Sequence, residues 1–195
     1  ILPDGTIYIS VEGPARVLRY ASVGASAAFL PVPGEFRGMQ LNSSLEALAA
    51  APDGALYTLP ERSGHIDRPF PVFRFRNGAW DQPFAMPRDG TLLPVGADVG
   101  PDGRLYVLER EFLGMAGFRM RLRSFVISET ALADERILLE TETGRHGNLE
   151  GVSVWRNTSG HLIATMISDD NYKWFLATEI VEYDRGPGGT GLPAG

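Results

Sequence analysis

Short apolar runs separated by turns rich in Gly and Pro recur along the whole chain. Four turns each lead directly into an apolar run, and their glycines are Gly5, Gly54, Gly103 and Gly160, spaced by 49, 49 and 57 residues. Three of these turns read Pro-Asp-Gly. An Asp-Gly pair between apolar runs is a strong hairpin pattern. The sequence therefore predicts a repeated β-hairpin with a period near 50 residues.

Further runs flank each hairpin and predict a repeat of four strands. Apolar runs precede three of the turns at 45–50, 94–99 and 149–155, and runs at 71–76 and 118–125 alternate with period two. Residues 84–87 and 136–140 are typical of outer strands, and we expect another strand at 174–183. Residues 43–51 offer the best helical pattern, but we interpret them as strand and turn because 149–155 occupies the same place in the repeat.

Four strands at this period are typical of one blade of a β-propeller. The fold class predicted is therefore all-β, a β-propeller with about four blades visible. A β-sandwich, which also has many short strands, is the alternative, but it requires no fixed period. We expect the propeller domain to span 1–184, with its first blade lacking the innermost strand and its last blade the outermost. An N-terminal portion beyond this chain would supply what is absent, and 185–195 would form a flexible tail rich in Gly and Pro.

Composition excludes several classes of function. The 195 residues include 18 Lys plus Arg and 24 Asp plus Glu, a net charge of −6, which argues against a nucleic-acid surface. The absence of Cys excludes disulfide scaffolds and thiol chemistry. No apolar run approaches the length of a membrane span. The oligomeric state cannot be inferred.

Carboxylates collect at one end of the predicted hairpins. Because paired strands are antiparallel, the starts of the innermost strands and the ends of their partners share the face opposite the Pro-Asp-Gly turns. We call the acidic residues placed there the predicted carboxylate ring: Glu12, Glu46, Glu61, Glu109, Glu150, Asp169 and Asp170. Such a ring suits Ca²⁺ or Mg²⁺, with Glu46, Glu150, Asp169 and Asp170 as candidate ligands. The alternative is that these carboxylates accept loop hydrogen bonds or pair with arginines.

Other side chains on the same face could assist chemistry. Arg62, Arg110 and Asn171 are candidates for binding an anionic substrate, and His65 and His146 are candidate general bases. Solvated loop histidines are the alternative interpretation for both. His161 follows a turn on the opposite face and serves as an internal control without an expected role.

Several segments resemble one family of propellers. Residues 148–154 (Asn-Leu-Glu-Gly-Val-Ser-Val) and 167–172 (Ile-Ser-Asp-Asp-Asn-Tyr) resemble the closing blade of the phytase-like, "esterase-like activity of phytase" family. Residues 105–112, 44–49 and 10–13 are similar to its earlier blades. The resemblance implies a bacterial, mostly exported propeller of about six blades, and hence a periplasmic or secreted protein. It also implies ester or phosphate-ester hydrolysis, with Ca²⁺ holding phosphate.

Three functions follow as hypotheses. The first is a metal-dependent hydrolase in which a cation in the carboxylate ring activates water towards a small-molecule ester or phosphate ester. The second is a non-catalytic propeller that binds a ligand or protein partner at the same face. The third is a calcium-dependent hydrolase of the lactonase type.

Overall fold

The computed structural model describes residues 1–39, 45–172, 177–184 and 186. Over these residues the chain is all-β, with fourteen strands in four small antiparallel sheets and two short 3-10 helices. The sheets are built from strands that are consecutive in sequence, as in the blades of a propeller. The predicted fold class, a β-propeller, is confirmed. The chain divides into two compact units, 1–90 with 128–132, and 91–127 with 133 onwards.

The first unit holds two of the sheets. Its strands are β1 (Ile7–Val11), β2 (Arg16–Tyr20), β3 (Ala28–Phe29), β4 (Leu45–Ala50), β5 (Leu56–Pro60), β6 (Phe70–Arg76) and β7 (Ala79–Met86). A 3-10 helix, Gly34–Gly38, lies between the two sheets in sequence. Its Phe36 is buried and meets the rings of Phe73 and Trp80 edge-on, at centroid distances of 5.1 and 5.2 Å. These aromatic rings and the apolar faces of both sheets form the core of this unit.

The second unit holds the other two sheets. Its strands are β8 (Leu93–Val99), β9 (Arg104–Phe112), β10 (Phe118–Ile127), β11 (Leu132–Glu140), β12 (Leu149–Arg156), β13 (Leu162–Ser168) and β14 (Ile180–Asp184). A one-turn 3-10 helix, Gly114–Ala116, lies between β9 and β10. Tyr106, Leu108, Leu122 and Met166 are buried in the core that both sheets share.

The Pro-Asp-Gly turns form as the sequence predicts. Asp4 and Asp53 each accept a hydrogen bond from the amide two residues later, at 2.9 and 3.0 Å. Gly5, Gly54 and Gly103 all have positive φ, between 76° and 87°. Glycine adopts this backbone conformation without a steric penalty, which explains its recurrence at the same place in each turn.

A β-bulge recurs at the start of the innermost strand in three sheets. The register shifts between Leu45 and Ala47 in β4, between Pro94 and Gly96 in β8, and between Leu149 and Gly151 in β12. The bulged residues are Glu46, Val95 and Glu150. Bulges redirect a side chain and are frequent beside active sites. Two of the predicted metal ligands, Glu46 and Glu150, therefore occupy equivalent positions at the starts of β4 and β12.

Two contacts join β8 to β12 within a few residues of these bulges. The carboxylate of Asp98 accepts a hydrogen bond of 2.7 Å from the amide of Val154, and burial raises the pKa of this carboxyl group. A Cβ on Gly96 would lie 2.6 Å from the carbonyl oxygen of Glu150, so only glycine allows this approach. The start of β12, where Glu150 lies, is therefore held against β8.

The strand at 43–51 is confirmed as β4, although residues 43 and 44 lie outside the described residues. The strand expected at 174–183 is described as β14 from Ile180, while residues 173–176 are not described. The predicted tail at 185–195 lies outside the described residues apart from Gly186. The domain boundary at 184 stays a prediction. No helix within the described ranges is long and apolar enough to cross a membrane.

Candidate functional site

A pocket of about 780 Å³ opens among three loops of the second unit. The first loop joins β9 to β10, the second leads into β12, and the third leads into β14. We call it the loop pocket; its lining residues are Phe112, Gly114, Met115, Ala116, Gly117, Phe118, Gly144, Arg145, His146, Gly147, Ala177 and Glu179. All three loops lie at the end of the hairpins where the sequence predicts functional residues.

Glycines allow the first two loops to approach each other. Gly117 has a φ of 95°, and a Cβ there would lie 3.2 Å from the Cα of Gly144. Gly144 has a φ of 80°, and its amide donates a hydrogen bond of 2.8 Å to the carbonyl of Phe118. Any side chain at either glycine would push the loops apart. This close approach fixes the wall of the loop pocket that carries His146.

His146, a predicted general base, lines the loop pocket between two polar partners. Its Nε2 lies 2.6 Å from the hydroxyl oxygen of Tyr183, and its Nδ1 lies 3.8 Å from Oε1 of Glu179. The His146 side chain is 12% exposed. The ring is thus held at a defined orientation but still reaches the pocket.

Glu179 is itself fixed by the backbone around it. Its Oε1 accepts a hydrogen bond of 2.6 Å from the amide of Gly147, the residue that follows His146. The buried hydroxyl of Ser168 donates to the carbonyl of Ala177 and accepts from the amide of Glu179, at 2.9 and 2.8 Å. Ser168 therefore anchors the third loop, and its hydroxyl is already occupied by backbone groups.

A second polar cluster, formed by Arg110, Asn148 and Glu150, lies next to Phe118, a residue of the pocket lining. The Arg110 guanidinium donates to the carboxylate of Glu150 and to the side-chain oxygen of Asn148, and it lies 5.8 Å from the Phe118 ring centre. The amide of Asn148 donates to Glu150 at 2.7 Å, and Asn148 is only 1% exposed. The structure thus brings together Arg110 and Glu150, which were predicted for substrate and metal respectively.

Glu109, another member of the predicted carboxylate ring, is buried inside its own sheet. Its side chain is 0% exposed and accepts hydrogen bonds from Arg121 at 2.8 Å and from Arg123 at 2.6 and 2.8 Å. The arginines of the alternating run 118–125 therefore turn towards carboxylates of their sheet. Glu109 is therefore held by partners within its own sheet.

The acidic pair Asp169 and Asp170 forms a tight turn with the residues that follow. Their carboxylates accept hydrogen bonds from the amides of Asn171 and Tyr172, at 2.9 and 2.8 Å. Asn171 and Tyr172 have φ values of 50° and 55°, a conformation that Asn tolerates better than most residues. Asn171 thus has a clear role in the turn, while its predicted role in substrate binding stays a prediction.

The remaining candidates lie in the first unit. Arg62 forms an ion pair of 3.7 Å with the buried Glu61, and Glu46 is half-buried at its bulge. His65 is exposed, with its Nδ1 accepting a hydrogen bond of 3.3 Å from the amide of Asp67. His65 lies in a surface loop, in contrast to the enclosed setting of His146.

The described residues do not fit a calcium site. Calcium takes six to eight oxygen ligands. Of the predicted ligands, Glu150 is engaged by Arg110, and Asp169 and Asp170 by the amides of their own turn. In the part of the chain that the structure describes, no group of three or more His, Asp or Glu side chains is arranged to hold a metal ion. The calcium site stays a prediction that these contacts do not support.

Sequence reasoning missed Arg145, Asn148, Glu179 and Tyr183. The segment Gly144-Arg145-His146-Gly147 carried a usable signal, because a basic pair between glycines indicates an exposed, tightly turned loop. Glu179 and Tyr183 carried none, since their approach to His146 depends on how β14 pairs with β13.

These features define a class of protein, a β-propeller with a pocket among the loops at one end of its strands. The sequence matches the family model for phytase-like proteins, described as "esterase-like activity of phytase", over residues 1–172. The chain therefore belongs to the phytase-like family. No curated protein matches the sequence.

Solved structures show the same fold at low sequence identity. A chain of a nidogen/laminin complex aligns with a TM-score of 0.53 and 13% identity, over 91% of this chain and 60% of that one. An endo-arabinase from Bacteroides thetaiotaomicron aligns with a TM-score of 0.52 and 13% identity, over 92% of this chain and 69% of that one. A protein of unknown function from Dyadobacter fermentans aligns with a TM-score of 0.50 and 14% identity, over 91% of this chain and 48% of that one. The chain thus spans about half to two thirds of the length of these structures.

Proposed function

We propose that this protein hydrolyses small-molecule esters or phosphate esters at the loop pocket, with His146 as the general base. The observation that carries the proposal is the placement of His146 in the pocket lining, 2.6 Å from the Tyr183 hydroxyl and 3.8 Å from Glu179. Membership of the phytase-like family supports hydrolysis as the reaction class.

Each of the three side chains has a distinct task in this proposal. In the tautomer that the proposal assigns, the Nε2–H of His146 donates a hydrogen bond to the Tyr183 oxygen, and Nδ1 keeps a lone pair on the side of Glu179 and the pocket. A water molecule bound at Nδ1 attacks the carbonyl carbon or phosphorus and gives its proton to the imidazole. Glu179, held by the Gly147 amide, then stabilises the imidazolium.

The remaining steps complete the reaction without a covalent enzyme intermediate. The guanidinium of Arg145, in the same lining, stabilises the negative charge that develops on the substrate oxygen. When the ester bond breaks, the imidazolium returns its proton to the leaving alkoxide. One water is consumed, and the products are an acid and an alcohol. No step is assigned to a metal, because the nearby carboxylates already have protein partners.

Hydrolysis of 4-nitrophenyl butyrate and 4-nitrophenyl phosphate by wild type and His146→Ala tests the proposal. Loss of a general base lowers kcat by about 100-fold or more. Tyr183→Phe, which removes only the orienting hydroxyl, should lower kcat by about tenfold and leave KM nearly unchanged. His161→Gln is the matched control, because His161 lies at the opposite end of β13 and contacts Asp184. Equal activity of wild type and His146→Ala would refute the assignment.

Ligand binding without catalysis is the second candidate. The largely apolar lining of the loop pocket and the involvement of Ser168 in backbone contacts favour it. In that case neither wild type nor His146→Ala would hydrolyse an ester above the background rate, although the loop pocket of the wild type would still bind a ligand.

We also infer a periplasmic or secreted location in a bacterium, as the family resemblance implies. Fractionation of cells that express the full-length natural protein tests this inference. Recovery from the cytoplasmic fraction alone would overturn it.

A further inference from the structure

We propose that the loop pocket binds the apolar acyl chain of a carboxylic ester, and so discriminates against densely charged phosphate esters. This inference rests on the proposed function and names its substrate class. It follows from the chemistry of the residues that line the pocket.

The apolar part of the lining of the loop pocket is exposed to solvent. Phe112, the last residue of β9, is 62% exposed, and Met115, in the loop between β9 and β10, is fully exposed. The ring of Phe112 packs against that of Phe118 with a centroid distance of 5.0 Å. Apolar side chains gathered in a concave site are typical of ligand pockets, because a ligand that covers them is held by the hydrophobic effect.

The polar residues of the lining come from the other two loops. Arg145 and His146 are adjacent in the second loop, and Glu179 of the third loop lies 3.8 Å from His146. A substrate with one polar reacting group and one apolar chain matches this division. Its ester carbonyl would meet His146 and Arg145, while its chain would lie along Phe118, Phe112 and Met115.

The charges in the described part of the loop pocket do not suit a polyphosphate. Within the described lining, Arg145 is the single cationic side chain other than histidine, and Glu179 contributes a carboxylate. Arg110, the next cation beyond Phe118, is engaged by Glu150. A ligand with several phosphates requires a cluster of Arg or Lys to offset its charge. The volume of about 780 Å³ lies in the usual range for pockets that bind small organic ligands.

The experiment compares chain lengths with one chromogenic leaving group. Hydrolysis of 4-nitrophenyl acetate, butyrate and hexanoate is measured on the full chain, with 4-nitrophenyl phosphate alongside. Burial of each added methylene should raise kcat/KM by about fourfold. Met115→Gln should reduce the preference for hexanoate over acetate about fivefold, whereas Val23→Gln, a change at a similarly exposed apolar residue of the first unit, should not.

A binding measurement separates this inference from the proposed function. Contact of octanoate with the protein is followed by saturation-transfer NMR in wild type, Met115→Gln and Val23→Gln. Binding of octanoate that weakens only in Met115→Gln supports the acyl pocket, even if no ester is hydrolysed and the proposed catalysis fails. Ester hydrolysis that is independent of chain length, or a preference for the phosphate, would overturn the inference while leaving hydrolysis itself intact.

Discussion

The buried carboxylate of Glu109 offers the sharpest test of how the second unit is stabilised. Glu109 is 0% exposed and is shared by Arg121 and Arg123, whose side chains are 4% and 0% exposed. Arg123 also reaches Glu135 at 2.9 Å. Glu109→Gln keeps the size and shape of the side chain but removes the charge that both guanidinium groups face.

The expected cost follows from burial. Removal of one partner from a buried ion pair typically costs about 3–5 kcal/mol, because the remaining charge has already been desolvated. Glu111, two residues further along β9, provides the matched control: it pairs with Arg119 at 2.7 Å, and the two side chains are 16% and 35% exposed. Solvent screens a partly exposed pair, so Glu111→Gln should cost clearly less than Glu109→Gln.

Urea unfolding followed by circular dichroism measures both variants against wild type. We expect Glu109→Gln to lower the free energy of unfolding by about 3–5 kcal/mol, or Tm by about 10 °C in a chain of this size. Similar small effects for both variants would refute the reasoning. They would show that the arginines reach water or another carboxylate when Glu109 is neutralised.

Two further predictions concern stability in each unit. Glu129 accepts hydrogen bonds from Arg76 and Arg74, which lower its pKa to about 2, so its stabilising effect should be complete above about pH 4.5 and lost as the pH falls through about 2. Acid titration of Glu129→Gln should lack this transition; an unchanged acid profile would contradict the assignment. Gly96→Ala places a Cβ 2.6 Å from the Glu150 carbonyl oxygen and should cost about 1–3 kcal/mol in urea unfolding, whereas Gly34→Ala, with open space around it, should cost little. Equal stability of these two variants would show that the start of β12 can shift to accommodate the added methyl group at little cost in free energy.

The backbone was largely predictable because its determinants are local. A Pro-Asp-Gly turn needs only its own three residues and the amide two positions on, so each turn formed where the sequence placed it. Residues 45–50 form a strand despite their helical pattern, because burial alternates along them between core and partly exposed positions. Position in a repeat was thus a better guide than local helical propensity.

The site was less predictable because it depends on pairs of residues far apart in sequence. The prediction placed Glu109 at the end of its strand but did not use the register, which sets Glu109 directly opposite Arg121 on β10. The wall of the loop pocket similarly depends on contact between Gly117 and Gly144, which no local pattern indicates. His146 was identified as a candidate from its residue type, whereas its partners became visible only in the fold.

The recurring bulge explains why a repeat locates a site better than it identifies the chemistry there. The same backbone irregularity begins β4, β8 and β12, but its side chain is Glu46 in one, the buried Val95 in another and Glu150 in the third. The bulge therefore belongs to the architecture, and Val95 shows that it does not require a carboxylate. Glu150 acquires its setting from Arg110 and Asn148, which lie on a neighbouring strand and in the preceding loop. Function in this chain is thus to be sought where equivalent positions differ between blades, and the loop with His146, directly before the third bulge, is such a place.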